Sequence, residues 1–402
     1  MAKNRILTGF AVCLICLLSS CGQRANLTQE QKRRDFEYLY QTLKQNYPYF
    51  GVGLRRTGID WLAKHDEFVE KIQATNSDSA YIFALRDILR ELGNGHADMS
   101  FVSYYEDYTS LYKKIADEYP RYKKWVATLE DRKARPRYWQ RLLNGNRQEA
   151  KSNTAQTVVS PRVDYSDSLL VKEKTGIMSV TSFNLFNIEK DKPRIDSFLH
   201  KIRDYDHLII NIQNNGGGAT RYWKENIVSR LIRDTVIYPQ YTVIKDGSMN
   251  RHFYPAYVDS ARVVAKEGTL QHIPVELLDG TFRLKVETDT IIPQNPVPFK
   301  GKIYLLVNSA VFSSAEGFAY FCKATNWATV AGVQTGGDGV GSDPVPFVLP
   351  ESGIIVRYPA LTGFNADGSL NFETCTIPDI IIESENSHER LNKLINGIRQ
   401  EP

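Results

Sequence analysis

The sequence predicts an α/β protein preceded by a small helical part, and two patterns predict it. From Lys174 onward short apolar runs alternate with amphipathic segments: a strand over 177–181, a helix over 193–205, a strand over 207–212 and a helix over 222–233. Such alternation builds parallel strands joined by helical crossovers. Residues 30–95 instead keep a helical period. Phe36, Leu39, Tyr40 and Leu43 share one face, a second helix runs through Trp61, Phe68 and Ile72, and a third runs from Tyr81 through Leu85, Ile88, Leu89 and Leu92 to Gly93.

The rest of the chain extends both patterns. A strand-rich stretch over 236–300 leads to a strand at 303–307 and a helix at 313–323, then short strands at 328–332 and 353–358 and a terminal helix near 387–399. Residues 101–160 are rich in Tyr, Lys, Arg and Glu, with Tyr112, Tyr119, Tyr122 and Trp125 at helical intervals. A charged helical insertion over 101–165 is expected, either as a solvated face or as a lid that captures substrate. The expected organisation is a leader over 1–21, a tether over 22–31, a helical subdomain over 32–100, this insertion, and an α/β core over 166–402.

The 402 residues are 42% apolar and 24% charged, as in a soluble globular protein. A net charge of +4 with no long Lys/Arg run argues against nucleic acid as a partner. The seven histidines are scattered without a close pair, so no metal site is expected. Lys3 and Arg5 precede an apolar stretch, Ile6 to Leu18, that is short for a membrane span. It ends Leu18-Ser-Ser-Cys21, which resembles a bacterial lipoprotein processing site. Cys21 would then become the lipid-modified N-terminus, and the globular body an exported, membrane-tethered protein of the cell envelope. No acidic cluster follows Cys21, so the periplasmic side of a membrane is favoured over the cell surface. Of the five cysteines only Cys322 and Cys375 then remain, and nothing in the sequence brings them together.

Three segments carry chemistry. The run Tyr304-Leu-Leu-Val307 reads as a buried strand, and after a turn a helix opens at Ser313-Ser-Ala-Glu316. A serine at a helix start is commonly an N-cap, yet the free amides there can also hold an oxyanion. The strand from His207 runs into Asn214-Asn-Gly-Gly-Gly218, where glycines let backbone approach a substrate closely. A helix end broken by glycines presents one histidine, in Gly93-Asn-Gly-His96.

Taken in chain order, from the His96 turn through the glycine loop to Ser313-Ser-Ala-Glu316 and then Gly332-Val-Gln-Thr335, these segments resemble the C-terminal-processing and tricorn-core serine peptidases, which include the tail-specific proteases. Thr175 to Phe183 and Pro378-Asp379 add to the likeness, which covers residues 33–100 and 170–385. The resemblance implies a crotonase-like spiral βαβ core. The glycine-turn pattern of the PDZ domain that many relatives carry is not found, so none is expected. By the same likeness Ser313 is the nucleophile, and amides of Ser314 and of Gly216 or Gly217 form the oxyanion hole. In the processing branch a lysine is the base, but the corresponding position, in Thr335-Gly-Gly-Asp338, holds Asp338, and Lys323 does not match. The sequence is closer to the tricorn-core branch, which makes His96 the base; the unperturbed histidine pKa of about 6.5 suits proton shuttling. Glu373 is the expected third member, with Asp338 as its competitor. The family's Asp-x-Arg before the glycines is replaced by Asn211-Ile-Gln213, which leaves room for an inactive relative.

The expected function is a serine peptidase acting on polypeptide, with no cofactor required. A ligand-binding member of the same fold, of which the family has retinoid-binding examples, and a serine esterase are the rivals. The sequence does not fix the oligomeric state. The leader gives one test: Cys21→Ala should block processing or release the protein in soluble form. Intact-mass measurement after membrane extraction should find a mature chain that begins at Cys21 with added acyl mass, and a lipid-free or differently cleaved chain would rule out the anchor.

Overall fold

The structure is a computed structural model that describes residues 26–99, 102–148, 164–264, 270–365 and 367–400. The leader and Cys21 lie outside the described residues. Helix α1 (Gln29–Asn46) opens with a capping box between Thr28 and Gln31, inside the stretch expected to be a tether. Pro48 favours extended backbone at Tyr47 (φ −78°, ψ 126°), and there α1 ends. Helices α2 (Phe50–Thr57), α3 (His65–Gln73) and α4 (Asp78–Arg90) complete the helical part, followed by the His96 turn and the two-residue strand β1 (Asp98–Met99).

The insertion is helical as expected: α5 (Val102–Ile115), α6 (Lys123–Leu129) and α7 (Pro136–Gln148). Its aromatic residues are not a solvated stripe, however. Tyr112, Tyr122, Trp125 and Trp139 are buried in one hydrophobic core with Phe36, Leu39, Leu85 and Ile88. The Trp125 indole donates to Pro344 O at 2.9 Å, and the Tyr122 and Tyr112 hydroxyls donate to the Asp343 carboxylate at 2.6 and 3.2 Å.

The α/β part begins with an antiparallel pair, β2 (Tyr165–Leu170) and β3 (Thr175–Val180). Helix α8 (Ile188–Lys201) and strand β4 (His207–Asn211) follow. Then α9 (Thr220–Trp223) passes through a π-helical stretch, Lys224–Val228, into α10 (Ser229–Leu231). Next come β5 (Val236–Lys245), α11 (Ser248–Phe253), α12 (Pro255–Ser260), β6 (Arg262–Val263) and β7 (Phe282–Ile291). The last third contains β8 (Lys302–Val307), α13 (Ser314–Thr325), β9 (Thr329–Gly332), β10 (Val345–Val348), β11 (Ile355–Tyr358), β12 (Leu361–Phe364), α14 (Asn371–Thr374), β13 (Ile380–Ile381) and α15 (Ser387–Ile398).

Three sheets result. The central one has the order β13-β9-β8-β4-β3-β2, parallel except for the β2–β3 pair. Its strands are apolar on both faces, as parallel strands covered on both sides must be. Leu208, Ile210, Leu305 and Val307 face a core shared with α8, α10 and α13, while Ile209, Tyr304 and Leu306 face Leu394 and Ile398 of α15. Antiparallel sheets β12-β5-β7-β6 and β1-β11-β10 pack with the N-terminal helices in the other large core. No described helix is long and apolar enough to cross a membrane.

If the insertion is part of the core rather than a lid, Trp125→Ala should destabilise the protein by about 3–5 kcal/mol. Urea unfolding measures this, and an unchanged midpoint would restore the lid reading.

Candidate active site

Strand β8 ends at Val307, and the turn that follows delivers Ser313 just before α13. Its backbone is at φ 56°, ψ −129°, a region that side-chain-bearing residues rarely adopt. Holding a non-glycine residue there costs on the order of 1–3 kcal/mol, and such strain concentrates at functional sites. The hydroxyl makes no hydrogen bond to the helix amides, so the N-cap reading does not describe it. It lies 3.1 Å from Nε2 of His96 instead.

The other imidazole nitrogen, Nδ1, is 2.7 Å from Oδ2 of Asp338. A carboxylate only accepts, so Nδ1 carries the proton and Nε2 is left to accept from Ser313. His96 is held from three sides. Its amide donates to Asn94 Oδ1 at 2.8 Å, its ring packs on Phe312 at 4.7 Å between centroids, and the strand after it is pinned by a two-point Asp98–Arg357 ion pair of 2.5 and 3.1 Å. Asp338 follows Gly337 (φ 84°) and itself has φ 60°, a conformation asparagine and aspartate tolerate better than other side chains. Its side chain is 3% exposed.

Glu373, the expected third member, is elsewhere. Arg55 grips its carboxylate at 2.6 and 2.7 Å and also bonds Glu276 at 2.7 Å. The Glu373 carboxylate is engaged by Arg55 on both oxygens, and the competitor Asp338 occupies the position beside the imidazole. Lys323 pairs with Asp379, whose carboxylate also accepts from Val330 N, so both have structural partners away from the serine.

The glycine loop reaches the serine as its composition suggested. A Cβ at Gly217 would stand 2.8 Å from both Phe312 O and Ser313 Cβ, so only glycine fits. The Gly217 amide donates to Asn215 Oδ1 at 2.9 Å and is therefore committed to the loop. Of the pair expected from the sequence, Gly217 thus has its amide engaged within the loop, and Gly216 is the other candidate, alongside Ser314 N at the start of α13. Where relatives carry Asp-x-Arg, the support comes from another element. Arg390 of α15 donates to Gln213 Oε1 at 2.9 Å, Gln213 Nε2 donates to Ser387 O at 3.0 Å, and Asn214 Nδ2 donates to Ser387 Oγ at 3.1 Å. Sequence reasoning missed these partners because they come from the chain terminus.

Comparison with known proteins decides the family. The model of peptidase family S41 matches residues 174–382, just over half of the chain. The chain belongs to peptidase family S41. The resemblance read from the motifs is borne out at that level. The fold is similar to a crystal structure of a candidate peptidase from Parabacteroides merdae, at 17% identity and a TM-score of 0.57, over 93% of this chain and 97% of that one. It is also similar to mature CPAF bound to lactacystin, at 14% identity and a TM-score of 0.56, over 92% and 97% of the two chains. Among the described residues of this S41 protein no group of His, Cys, Asp and Glu could hold a metal ion.

Glu316, the last residue of Ser-Ser-Ala-Glu, is fully buried. Its Oε1 accepts from Asn371 Nδ2 at 2.9 Å and Thr376 Oγ1 at 2.7 Å, and Asn371 Oδ1 in turn receives Gly339 N at 2.9 Å. Burial, and to a smaller degree the Asp338 charge, push its carboxyl from 4.5 up to about 7. The fold therefore favours the neutral acid: that stabilisation is complete below the unfolded value and is lost as pH rises through the folded one. Glu316→Gln is neutral throughout, so its unfolding free energy should fall less than the wild type's between about pH 4.5 and about pH 7, by on the order of 3 kcal/mol. Urea unfolding across that window checks this, and identical pH dependence in the two proteins would refute it.

Proposed function

We propose that this family S41 protein is a serine peptidase acting on polypeptide. The observation that carries the reading is the continuous relay from Ser313 Oγ to His96 Nε2 at 3.1 Å and from His96 Nδ1 to Asp338 at 2.7 Å. Serine is a weak nucleophile until a base removes its proton. Ser313 attacks the scissile carbonyl while His96 takes the proton, and the imidazolium is stabilised by Asp338. The amides of Gly216 and Ser314 hold the oxyanion that forms. His96 then returns the proton to the leaving amine, and water enters by the same route to release the acyl group. Each oxyanion donor is worth about 3–4 kcal/mol in such a site. The reading includes a crotonase-like core without a PDZ domain, and a lipid anchor at Cys21 that holds the enzyme in the cell envelope.

A ligand-binding relative would have no need of a strained serine aimed at an imidazole, which favours the enzyme. A fluorophosphonate probe should label the wild type at Ser313 and leave Ser313→Ala unlabelled. Lactacystin, bound by mature CPAF, should compete with it. Silence in the wild type would favour a binder, and turnover of esters but not of peptides an esterase. The third member is tested by a pair of variants. Asp338→Asn should lower peptide turnover on the order of 10³–10⁴-fold, because the imidazole tautomer is no longer enforced. Glu373→Gln should stay within a few-fold of wild type. The reverse order would return the role to Glu373.

A further inference from the structure

The Asp338 carboxylate is almost sealed from water, and a buried charge needs donors on both oxygens. Oδ2 is served by His96. At Oδ1 stands the hydroxyl of Tyr49, 2.6 Å away and itself fully buried. Tyr49 immediately precedes α2, turned inward where Pro48 ends α1, and its ring packs on Tyr47 and Phe372 at 5.4 and 5.1 Å between centroids. The same hydroxyl is 3.0 Å from Leu361 O. A phenol has one proton, and the nearer, charged acceptor takes it.

We propose that Tyr49 is a positioning residue of the relay: it fixes the Asp338 carboxylate so that one oxygen is held by the phenol and the other by His96. This rests on the Ser313–His96–Asp338 reading and extends it by a residue from the helical subdomain. The phenol remains protonated throughout the working range, since burial and then the Asp338 charge hold it well above its usual value. A phenol that bonds only the outer oxygen makes no contact with substrate. It orients the carboxylate, the carboxylate orients the imidazole, and the imidazole meets the serine in line. Losing one hydrogen bond to a charged group is expected to cost about 10–100-fold in rate.

Tyr49→Phe retains the ring and its packing and removes the one donor. With a fluorophosphonate as the probe, the rate of Ser313 labelling at saturation should fall about 10–100-fold while the half-saturating concentration stays near wild type, and the melting temperature should fall modestly because a buried carboxylate oxygen loses its donor. A general loss of structure would raise the half-saturating concentration as well. The second readout is the double variant. If Tyr49 acts through Asp338, Tyr49→Phe added to Asp338→Asn should cost nothing further. Wild-type labelling by Tyr49→Phe, or a full additional loss in the double variant, would overturn the role of Tyr49 while leaving the relay standing. If labelling is independent of Ser313 or Asp338, the relay itself fails and the role of Tyr49 fails with it.

Discussion

The contact between the Asp338 carboxylate and the His96 imidazole joins residues 242 positions apart, and the rest of the site is arranged around it. A buried carboxylate needs hydrogen-bond donors, and its surroundings supply them in the His96 imidazole and the Tyr49 phenol. A loop with two successive left-handed residues turns it inward, and the backbone of the same loop ties back to the nucleophile through Ser313 N to Gly337 O at 3.2 Å. The loop is held from beneath by Asn371 on Gly339 N, and from the insertion side by the tyrosines on Asp343. With Phe312 N bonded to Asn215 O as well, Ser313, Asp338 and the glycine loop form one hydrogen-bonded unit, onto which the histidine turn docks.

Much of this was legible in the sequence because strand ends announce themselves. The apolar run from His207 into three glycines and the run Tyr304–Val307 before a helix start marked the two strand ends, and the resemblance to the processing and tricorn-core peptidases picked out Ser313 and the glycine loop there. His96 was legible from its glycine context together with the missing lysine. The choice between Asp338 and Glu373 was not, because each is an acidic residue in a short polar segment whose direction the sequence leaves open. What separates them is that Asp338, between Gly337 and Gly339, bends inward, whereas Glu373 meets an arginine from α2. The run Gly336-Gly-Asp-Gly339 was the available signal, since aspartate accepts left-handed backbone more readily than most residues.

Other misses have equally local causes. Strand β2 is an edge strand with four exposed residues in succession, so it lacks the apolar run that betrays a central strand. In the insertion, lysines and arginines dominate the composition, yet Tyr112, Tyr122 and Trp125 set its packing. Composition averages over faces that the fold separates. Support for the glycine loop from Arg390 was invisible because it replaces a charge on the strand by one far along the chain.

The division of the site between the two ends of the chain also bears on timing. The span shared with the family model, 174–382, contains Ser313, Asp338 and the glycine loop but neither His96 nor Tyr49. The imidazole is made early during synthesis and waits for a strand and a loop that emerge more than two hundred residues later. Closing contacts of such long separation is slow relative to forming helices. Until the helical subdomain closes against the parallel sheet, Ser313 has no imidazole beside it.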